Sequence, residues 1–82
     1  MIKLTLNIAR TIDLKGEVCP YTFMLTKLNL EEMETDEILE VIVDYPPAVE
    51  NIPRSVKDQN LGEVLSVEKI SKNVWKLIIK KF

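Results

Sequence analysis

Histidine is absent from this chain, and cysteine occurs only once, as Cys19. Without histidine the chain lacks the commonest metal ligand and general base, which excludes a Cys–His hydrolase within it and argues against a zinc site. A lone cysteine cannot form an internal disulfide, so we expect a reducing compartment, the cytoplasm. We expect neither a metal nor a cofactor.

A basic surplus and a long apolar run are also absent. The formal net charge is −2, whereas a dedicated nucleic-acid binder normally carries an excess of basic residues. No segment approaches the roughly 18 consecutive apolar residues of a membrane span, and the first residues are too polar for a signal peptide. We therefore expect no membrane attachment and no strong direct binding to nucleic acid.

The chain does contain enough apolar material for one small core. Hydrophobic residues make up 46% of its 82 residues, a fraction that is too high for a disordered segment. We expect a single domain over residues 1–82, in which residues 1–9 can add an N-terminal strand extension. We expect this domain to be a monomer or a weak dimer.

The spacing of apolar residues predicts the element order β-α-β-α-β-β. Alternation predicts one strand that is clearest over residues 10–14 and another over residues 38–43. A helix is predicted over residues 20–33, with Cys19 in its N-cap region and Pro20 at its first position, where the missing N–H costs nothing. The side chains predicted to form its buried stripe are Tyr21, Met24, Leu25 and Leu28, widened by Phe23, Leu30 and Met33.

The second helix is predicted between Ala48 and Asn60. Pro53 restricts it, because a proline in the helix interior removes a hydrogen bond and crowds the preceding turn. Either Asn51 is the cap and Pro53 lies in the first turn, or a short turn over residues 47–50 precedes the helix. We favour the start at Asn51. Residues 60–62 supply the stop signal.

The remaining residues predict a hairpin and complete an α+β fold. Residues 63–70 and 74–81 form its two strands, and Trp75 is expected in the core. The architecture we expect is a two-layer α/β sandwich with two helices on one face of a four-stranded mixed sheet. The apolar side chains expected on the opposite face are Ile38, Ile42, Val64, Ile70, Val74 and Ile78. They indicate a partner surface, self-association, cover by the N-terminal strand, or scattered surface hydrophobes.

Cys19 stands where a glycine-containing turn gives way to the predicted first helix. A helix N-terminus carries a partial positive charge and unpaired backbone N–H groups, which favour the thiolate. The residues alone leave two interpretations open: a reactive thiol, or a half-buried cysteine that acts as a small hydrophobic side chain.

Residues 13–20 read Asp-Leu-Lys-Gly-Glu-Val-Cys-Pro, and this segment resembles the TusA/SirA family of small sulfur carrier proteins. The resemblance continues through residues 43–46 and 51–53 into the closing hairpin. It implies a fold similar to the C-terminal domain of translation initiation factor three. It also implies that Cys19 accepts a sulfane sulfur from a cysteine desulfurase or another donor. Cys19 would hold it as a persulfide and pass it to an acceptor protein, as in tRNA thiolation or cofactor sulfuration.

Residues near Cys19 are candidates for supporting roles. Gly16 is expected to adopt a positive φ in the turn, and Pro20 to start the helix. Asp13 either caps backbone N–H groups of the loop or is an ordinary acidic residue at the end of a strand. Lys15 is either a cation that helps to hold a thiolate or persulfide, or an ordinary solvated lysine. The candidate partner contacts are Lys15, Tyr21, Thr22 and Asp44. Thr22 departs from the family pattern, which has a second proline at this position.

Three other functions remain open. The chain can be a binding or regulatory module in which Cys19 is incidental. It can be a redox sensor whose thiol is oxidised to a sulfenic acid or a mixed disulfide. Direct RNA binding is the third, and the net charge argues against it.

Overall fold

The structure, a computed structural model, describes residues 8–18 and 20–82. The predicted strand extension covers residues 1–9, of which residues 8 and 9 belong to the first strand. Residues 1–7 and Cys19, with its predicted N-cap position, lie outside the described residues. The elements are β1 (Ile8–Asp13), α1 (Tyr21–Glu32), β2 (Ile38–Val43), α2 (Pro46–Asp58), β3 (Gly62–Ser71) and β4 (Val74–Lys81). Neither helix of the described part of the chain is long and apolar enough to cross a membrane.

The four strands form one mixed sheet in the spatial order β1-β2-β4-β3. β1 pairs with β2 in parallel, while β4 pairs in antiparallel fashion with both β2 and β3. The parallel pair is joined through α1, as parallel neighbours require a crossover connection. The predicted α+β sandwich with two helices and a four-stranded mixed sheet is confirmed.

The core lies between the sheet and the two helices. β2 and β4 are the central strands, and they supply fully buried side chains from Leu39, Val41, Val43, Leu77 and Ile79. The helices cover them with buried residues of their own, Leu30 from α1 and Ala48, Ile52 and Val56 from α2. Trp75 is half-buried against this core, with Lys69 Nζ 5.7 Å from its ring centroid, so its predicted core position is confirmed only in part.

The predicted start of the second helix is wrong. α2 begins at Pro46, with Tyr45 as its N-cap, and not at Asn51. Pro46 and Pro47 fit the first turn because the N–H groups there have no partner within the helix. Pro53 therefore lies inside α2, where the helix continues past it to Asp58.

Asn60 ends α2, as the sequence predicts, by adopting the left-handed conformation with φ of 56°. Its N–H donates to the Lys57 carbonyl at 3.0 Å, and the Leu61 N–H donates to the Val56 carbonyl at 2.9 Å. This pair of bonds is the Schellman arrangement, which satisfies the last carbonyls of a helix. Gly62 already belongs to β3, where a Cβ would lie 2.5 Å from the Lys80 carbonyl oxygen.

The predicted buried stripe of α1 is confirmed only in part. Leu30 and Met33 are buried, and Phe23 and Leu25 pack against the core, but the other three predicted residues are exposed. Tyr21, Met24 and Leu28 are 55%, 54% and 51% exposed, whereas Thr22 and Thr26 are fully buried. Apolar residues occur on every side of this helix, so its periodicity does not determine which side faces the sheet.

Contacts from distant residues determine the orientation of α1. The Arg10 guanidinium donates to Asn29 Oδ1 at 3.0 Å and to Glu32 Oε1 at 2.8 Å, which ties one side of the helix to the β1 edge. Lys81 Nζ donates to the Leu30 carbonyl. These bonds and the burial of Leu30 leave Tyr21, Met24 and Leu28 on the side of α1 that faces solvent.

The sheet face opposite the helices exposes fewer apolar side chains than predicted. A bulge between Val64 and Ser66 shifts the register of β3, and Val64 packs against the helix-side core instead of pointing away from it. Ile38 and Ile78 are only 6% exposed. Lys76 Nζ lies 3.7 Å from Glu40 and 3.6 Å from Glu68, so charged side chains occupy the middle of this face.

Replacing Leu30 with alanine should destabilise the protein far more than the same change at Leu28, since the two leucines lie on opposite sides of α1. We expect Leu30→Ala to lower the free energy of unfolding by about 2–5 kcal/mol, because it leaves a cavity in the core. Leu28→Ala should change it by about 0.5 kcal/mol or less. Urea denaturation of both variants measures the difference, and equal losses would contradict the orientation of α1.

Candidate functional site

The loop between β1 and α1 leaves the sheet where the parallel strands end. The Leu14 N–H donates to the Ile42 carbonyl at 2.7 Å, which extends the pairing of β1 with β2 by one residue. The Glu17 N–H donates to the Leu14 carbonyl at 3.0 Å and closes a tight turn. Gly16 lies in this turn with φ of +93°, as predicted. A Cβ at Gly16 would meet nothing within 4 Å, so the backbone conformation, not space, requires glycine.

Two carboxylates hold this turn by its backbone. Asp13 Oδ1 accepts the Lys15 N–H at 3.0 Å, and Asp44 Oδ1 accepts the Gly16 N–H at 2.9 Å. Asp13 therefore caps one backbone N–H of the loop, that of Lys15. Asp44 follows β2 directly, so the ends of two neighbouring parallel strands fix two successive amides of the loop.

The Lys15 side chain turns back towards its own strand. Its Nζ lies 3.7 Å from Asp13 Oδ2, and both side chains are about half exposed or more. An ion pair of this kind contributes roughly 0–1 kcal/mol. This contact places Lys15 in the turn as a solvated lysine paired with Asp13.

Backbone carbonyls accept hydrogen bonds from the N–H groups at the start of α1. The Val18 carbonyl accepts the N–H groups of Tyr21 at 2.8 Å and Thr22 at 3.3 Å, and the Pro20 carbonyl accepts the Met24 N–H at 3.0 Å. Pro20 is the N-cap residue and makes no side-chain cap bond, so α1 begins at Tyr21, one residue later than predicted. The first turn of α1 contains no acidic residue, so no carboxylate there neutralises the positive end of the helix dipole.

Thr22 cannot be the partner contact that the sequence predicted, because its side chain is fully buried. Thr26 Oγ1 donates to the Thr22 carbonyl at 2.8 Å, whereas Thr22 Oγ1 has no hydrogen-bond partner among the described residues. Tyr21, by contrast, is 55% exposed and available to a partner. Val18, which sequence reasoning did not single out, is 48% exposed.

Cys19 itself lies outside the described residues, and its position in the sequence links Val18 to Pro20. The residues on both sides of it are thus defined: a clamped turn precedes it and the start of α1 follows it. Among residues 8–18 and 20–82, no three side chains of the metal-binding types come together as a metal site.

Comparison with known proteins gives a consistent match over nearly the whole chain. A family model described as "Sulfurtransferase TusA" matches residues 10–81. A protein of Archaeoglobus fulgidus is 56% identical over 70 residues, covering 85% of this chain and 78% of its own. A protein of Thermotoga maritima is 46% identical over 75 residues, covering 90% of this chain and 92% of its own. Both are named "Putative sulfur carrier protein".

A solved structure shows the same fold. The SirA-like protein of Desulfitobacterium hafniense superposes with a TM-score of 0.76, covering 87% of this chain and 95% of its own. Its sequence identity is 24%, so this likeness concerns the arrangement of helices and strands alone.

The buried threonines of α1 should respond in opposite ways to replacement by valine. Thr22→Val removes a buried hydroxyl that has no partner among the described residues, so we expect the free energy of unfolding to rise by about 1 kcal/mol. Thr26→Val removes a made hydrogen bond and should lower it by about 1 kcal/mol. Urea denaturation tests both, and a clear loss of stability in Thr22→Val would show that its hydroxyl is satisfied.

Removing the Asp44 carboxylate should loosen the turn without unfolding the sheet. In Asp44→Ala the Gly16 amide loses its acceptor, and we expect its hydrogen exchange to speed up by about tenfold, as for a lost bond of roughly 1.4 kcal/mol. Asp44→Asn keeps an acceptor oxygen and is the matched control. NMR-detected exchange measures both. An unchanged rate in Asp44→Ala would mean that the carboxylate does not hold the turn.

Proposed function

The chain belongs to the TusA family, and we propose that it is a cytoplasmic sulfur carrier that holds sulfane sulfur as a persulfide on Cys19. The observation that supports this most strongly is the family match over residues 10–81. It includes the turn that Asp13 and Asp44 clamp directly before Cys19.

The proposed chemistry is an exchange between sulfur atoms with no net oxidation. The Cys19 thiolate attacks the outer sulfur of a donor persulfide, a new S–S bond forms on Cys19, and the S–S bond of the donor breaks. The electron pair of that bond leaves with the donor cysteine as a thiolate, and the persulfide proton remains with the transferred sulfur or is lost to water. An acceptor thiolate then attacks the same outer sulfur and releases Cys19.

The described surroundings suit a thiolate nucleophile. The first turn of α1 carries no acidic side chain, so the positive end of the helix remains available to an anion. Hydrogen bonds fix the backbone before Cys19 at Lys15 and Gly16. These bonds restrict the conformations of the turn that leads to Cys19. We infer structural roles for Asp13, Gly16 and Asp44, and a helix-starting role for Pro20.

The partners of a carrier are proteins that present or receive sulfur. We propose a cysteine desulfurase or another persulfide-bearing protein as donor and a sulfur-accepting protein as recipient, in tRNA thiolation or in the sulfuration of a cofactor. No step of this exchange requires a metal or a resident cofactor.

A second candidate is a binding or regulatory module in which Cys19 does not carry sulfur. The exposed apolar side chains of Tyr21, Met24 and Leu28 favour it, since such side chains commonly mark contacts with other proteins. The two candidates differ in whether the protein gains sulfur at Cys19.

Sulfur loading at Cys19 is the expected behaviour of the purified protein. We expect incubation with polysulfide to add about 32 Da, one sulfur atom, and a reductant to remove it, because exchange at sulfur is reversible. Cys19→Ser should gain nothing. Intact-protein mass spectrometry checks this. A wild-type protein that alkylates with iodoacetamide but gains no sulfur would favour the binding module.

A further inference from the structure

The Thr22 hydroxyl is a buried hydrogen-bond donor with no acceptor in the described part of the chain. The Thr22 side chain is fully buried, and its Oγ1 has no partner among residues 8–18 and 20–82. A buried hydroxyl without a partner lowers the stability of the fold, and native proteins rarely keep one. Valine has the same shape and would avoid this cost. The stability of the fold therefore does not explain the hydroxyl.

The first turn of α1 shows why the Thr22 hydroxyl has no acceptor within its own helix. One turn later, Thr26 Oγ1 donates to the carbonyl four residues before it, that of Thr22, at 2.8 Å. The equivalent acceptor for Thr22 is the Val18 carbonyl. That carbonyl already accepts the N–H groups of Tyr21 at 2.8 Å and Thr22 at 3.3 Å, which use both of its lone pairs.

The same two bonds occupy backbone donors close to Cys19 in the sequence. The N–H groups of Tyr21 and Thr22 donate to the Val18 carbonyl, and Pro20 has no N–H. The dipole of α1 favours an anion at this end of the helix. A hydrogen bond to the charged form of a group lowers its pKa further, and the Thr22 hydroxyl is a donor that remains available for such a bond.

We propose that the Thr22 hydroxyl donates a hydrogen bond to the sulfur of Cys19 and stabilises its thiolate. This inference rests on the proposed function. Thr22 follows Cys19 by three residues, the spacing of side-chain neighbours on one turn of a helix. In sequence, Cys19 continues the intervals of three or four residues that separate the buried Thr22, Thr26 and Leu30.

The chemistry of sulfur favours the thiolate as the acceptor. A neutral thiol is a weak hydrogen-bond acceptor, whereas a bond to an ionised acceptor is about twice as strong as one between neutral groups. The thiolate is the nucleophile when Cys19 takes up sulfur and the leaving group when the sulfur moves on. The Thr22 hydroxyl keeps its proton throughout, and no covalent bond changes at this residue.

Charged side chains around this segment are not altered by removing the hydroxyl. They are Asp13, Lys15 and Glu17 in the loop after β1, and Asp44 after β2. Asp13 and Asp44 bind backbone amides of the turn, and Lys15 pairs with Asp13. The first turns of α1 and α2 contain no acidic residue. A change in the pKa of the thiol on removing the hydroxyl therefore reports the hydroxyl itself.

The test measures the apparent pKa of the Cys19 thiol from the rate of alkylation by iodoacetamide as a function of pH. Cys19 is the only cysteine of the chain, so intact-protein mass spectrometry reports its alkylation alone. Thr22→Val removes the hydroxyl, whereas Thr22→Ser keeps one. Thr26→Val removes a buried hydroxyl that is bonded within α1 and is the matched control. Urea denaturation establishes that each variant folds.

We expect the midpoint of the pH profile to rise by about one unit in Thr22→Val, as for a lost hydrogen bond to a charged group. Well below the midpoint, alkylation and polysulfide loading should slow by about threefold, because higher nucleophilicity partly offsets the smaller thiolate fraction. Thr22→Ser should bring the midpoint back towards that of wild type, and Thr26→Val should leave it unchanged. An unchanged midpoint in Thr22→Val would overturn the proposal, as would an equal rise in Thr22→Ser or Thr26→Val.

The stability of Thr22→Val as a function of pH gives a second readout. The wild-type hydroxyl lowers the pKa of the folded thiol, and a lowered pKa stabilises the fold above the unfolded value, about 8.5 for a free thiol. The gain in stability expected for Thr22→Val should therefore be largest while the thiol is protonated and should shrink as the pH rises from about 6 to about 9.5. A gain that is the same at both pH values would contradict the bond to Cys19.

The alkylation profile involves no sulfur transfer, so its outcome is separate from that of the proposed function. If polysulfide fails to load the wild type, the proposed function fails, and the midpoint in Thr22→Val still decides whether the hydroxyl binds the thiolate. If the wild type loads but the midpoint does not move, the proposed function stands and the role of Thr22 is overturned.

Discussion

The hydrogen bond from the Gly16 N–H to Asp44 Oδ1 joins two parts of the chain that are 28 residues apart. It attaches the loop after β1 to the residue that follows β2, and the bond from Lys15 to Asp13 fixes the neighbouring amide. Both bonds require the turn that Gly16 makes with a positive φ. The place where α1 begins, and with it the segment that contains Cys19, depends on this clamped turn.

The two sides of α1 lie in different surroundings, one in the core and one in solvent. Its inner side carries Leu30 into the core together with two threonines, while its outer side presents Tyr21, Met24 and Leu28. The apolar outer side of α1 begins at Tyr21, two residues after Cys19 in the sequence.

The order of elements could be predicted from the sequence because the central strands are strongly patterned. Leu39, Val41 and Val43 alternate as a strand facing the core should, and they are fully buried.

Alternation alone does not reveal the bulge in β3, and it therefore places Val64 on the wrong face of the sheet. The predicted start of α2 is wrong because it places Pro53 in the first turn, whereas Pro46 and Pro47 are the prolines that begin the helix.

The orientation of α1 depends on Arg10 and Lys81, which are remote from the helix in sequence. The roles of Asp13 and Gly16 followed from local turn chemistry, whereas the bond to Asp44 required the fold.

The central claim is that sulfur passes through Cys19 and leaves it again. The most direct measurement loads the protein with radioactive sulfur, removes the donor, and adds a small thiol as acceptor. The account predicts that the label moves to the acceptor while the protein returns to its original mass with a free thiol at Cys19. Label that stays on the protein, or that loads equally in Cys19→Ser, would contradict it.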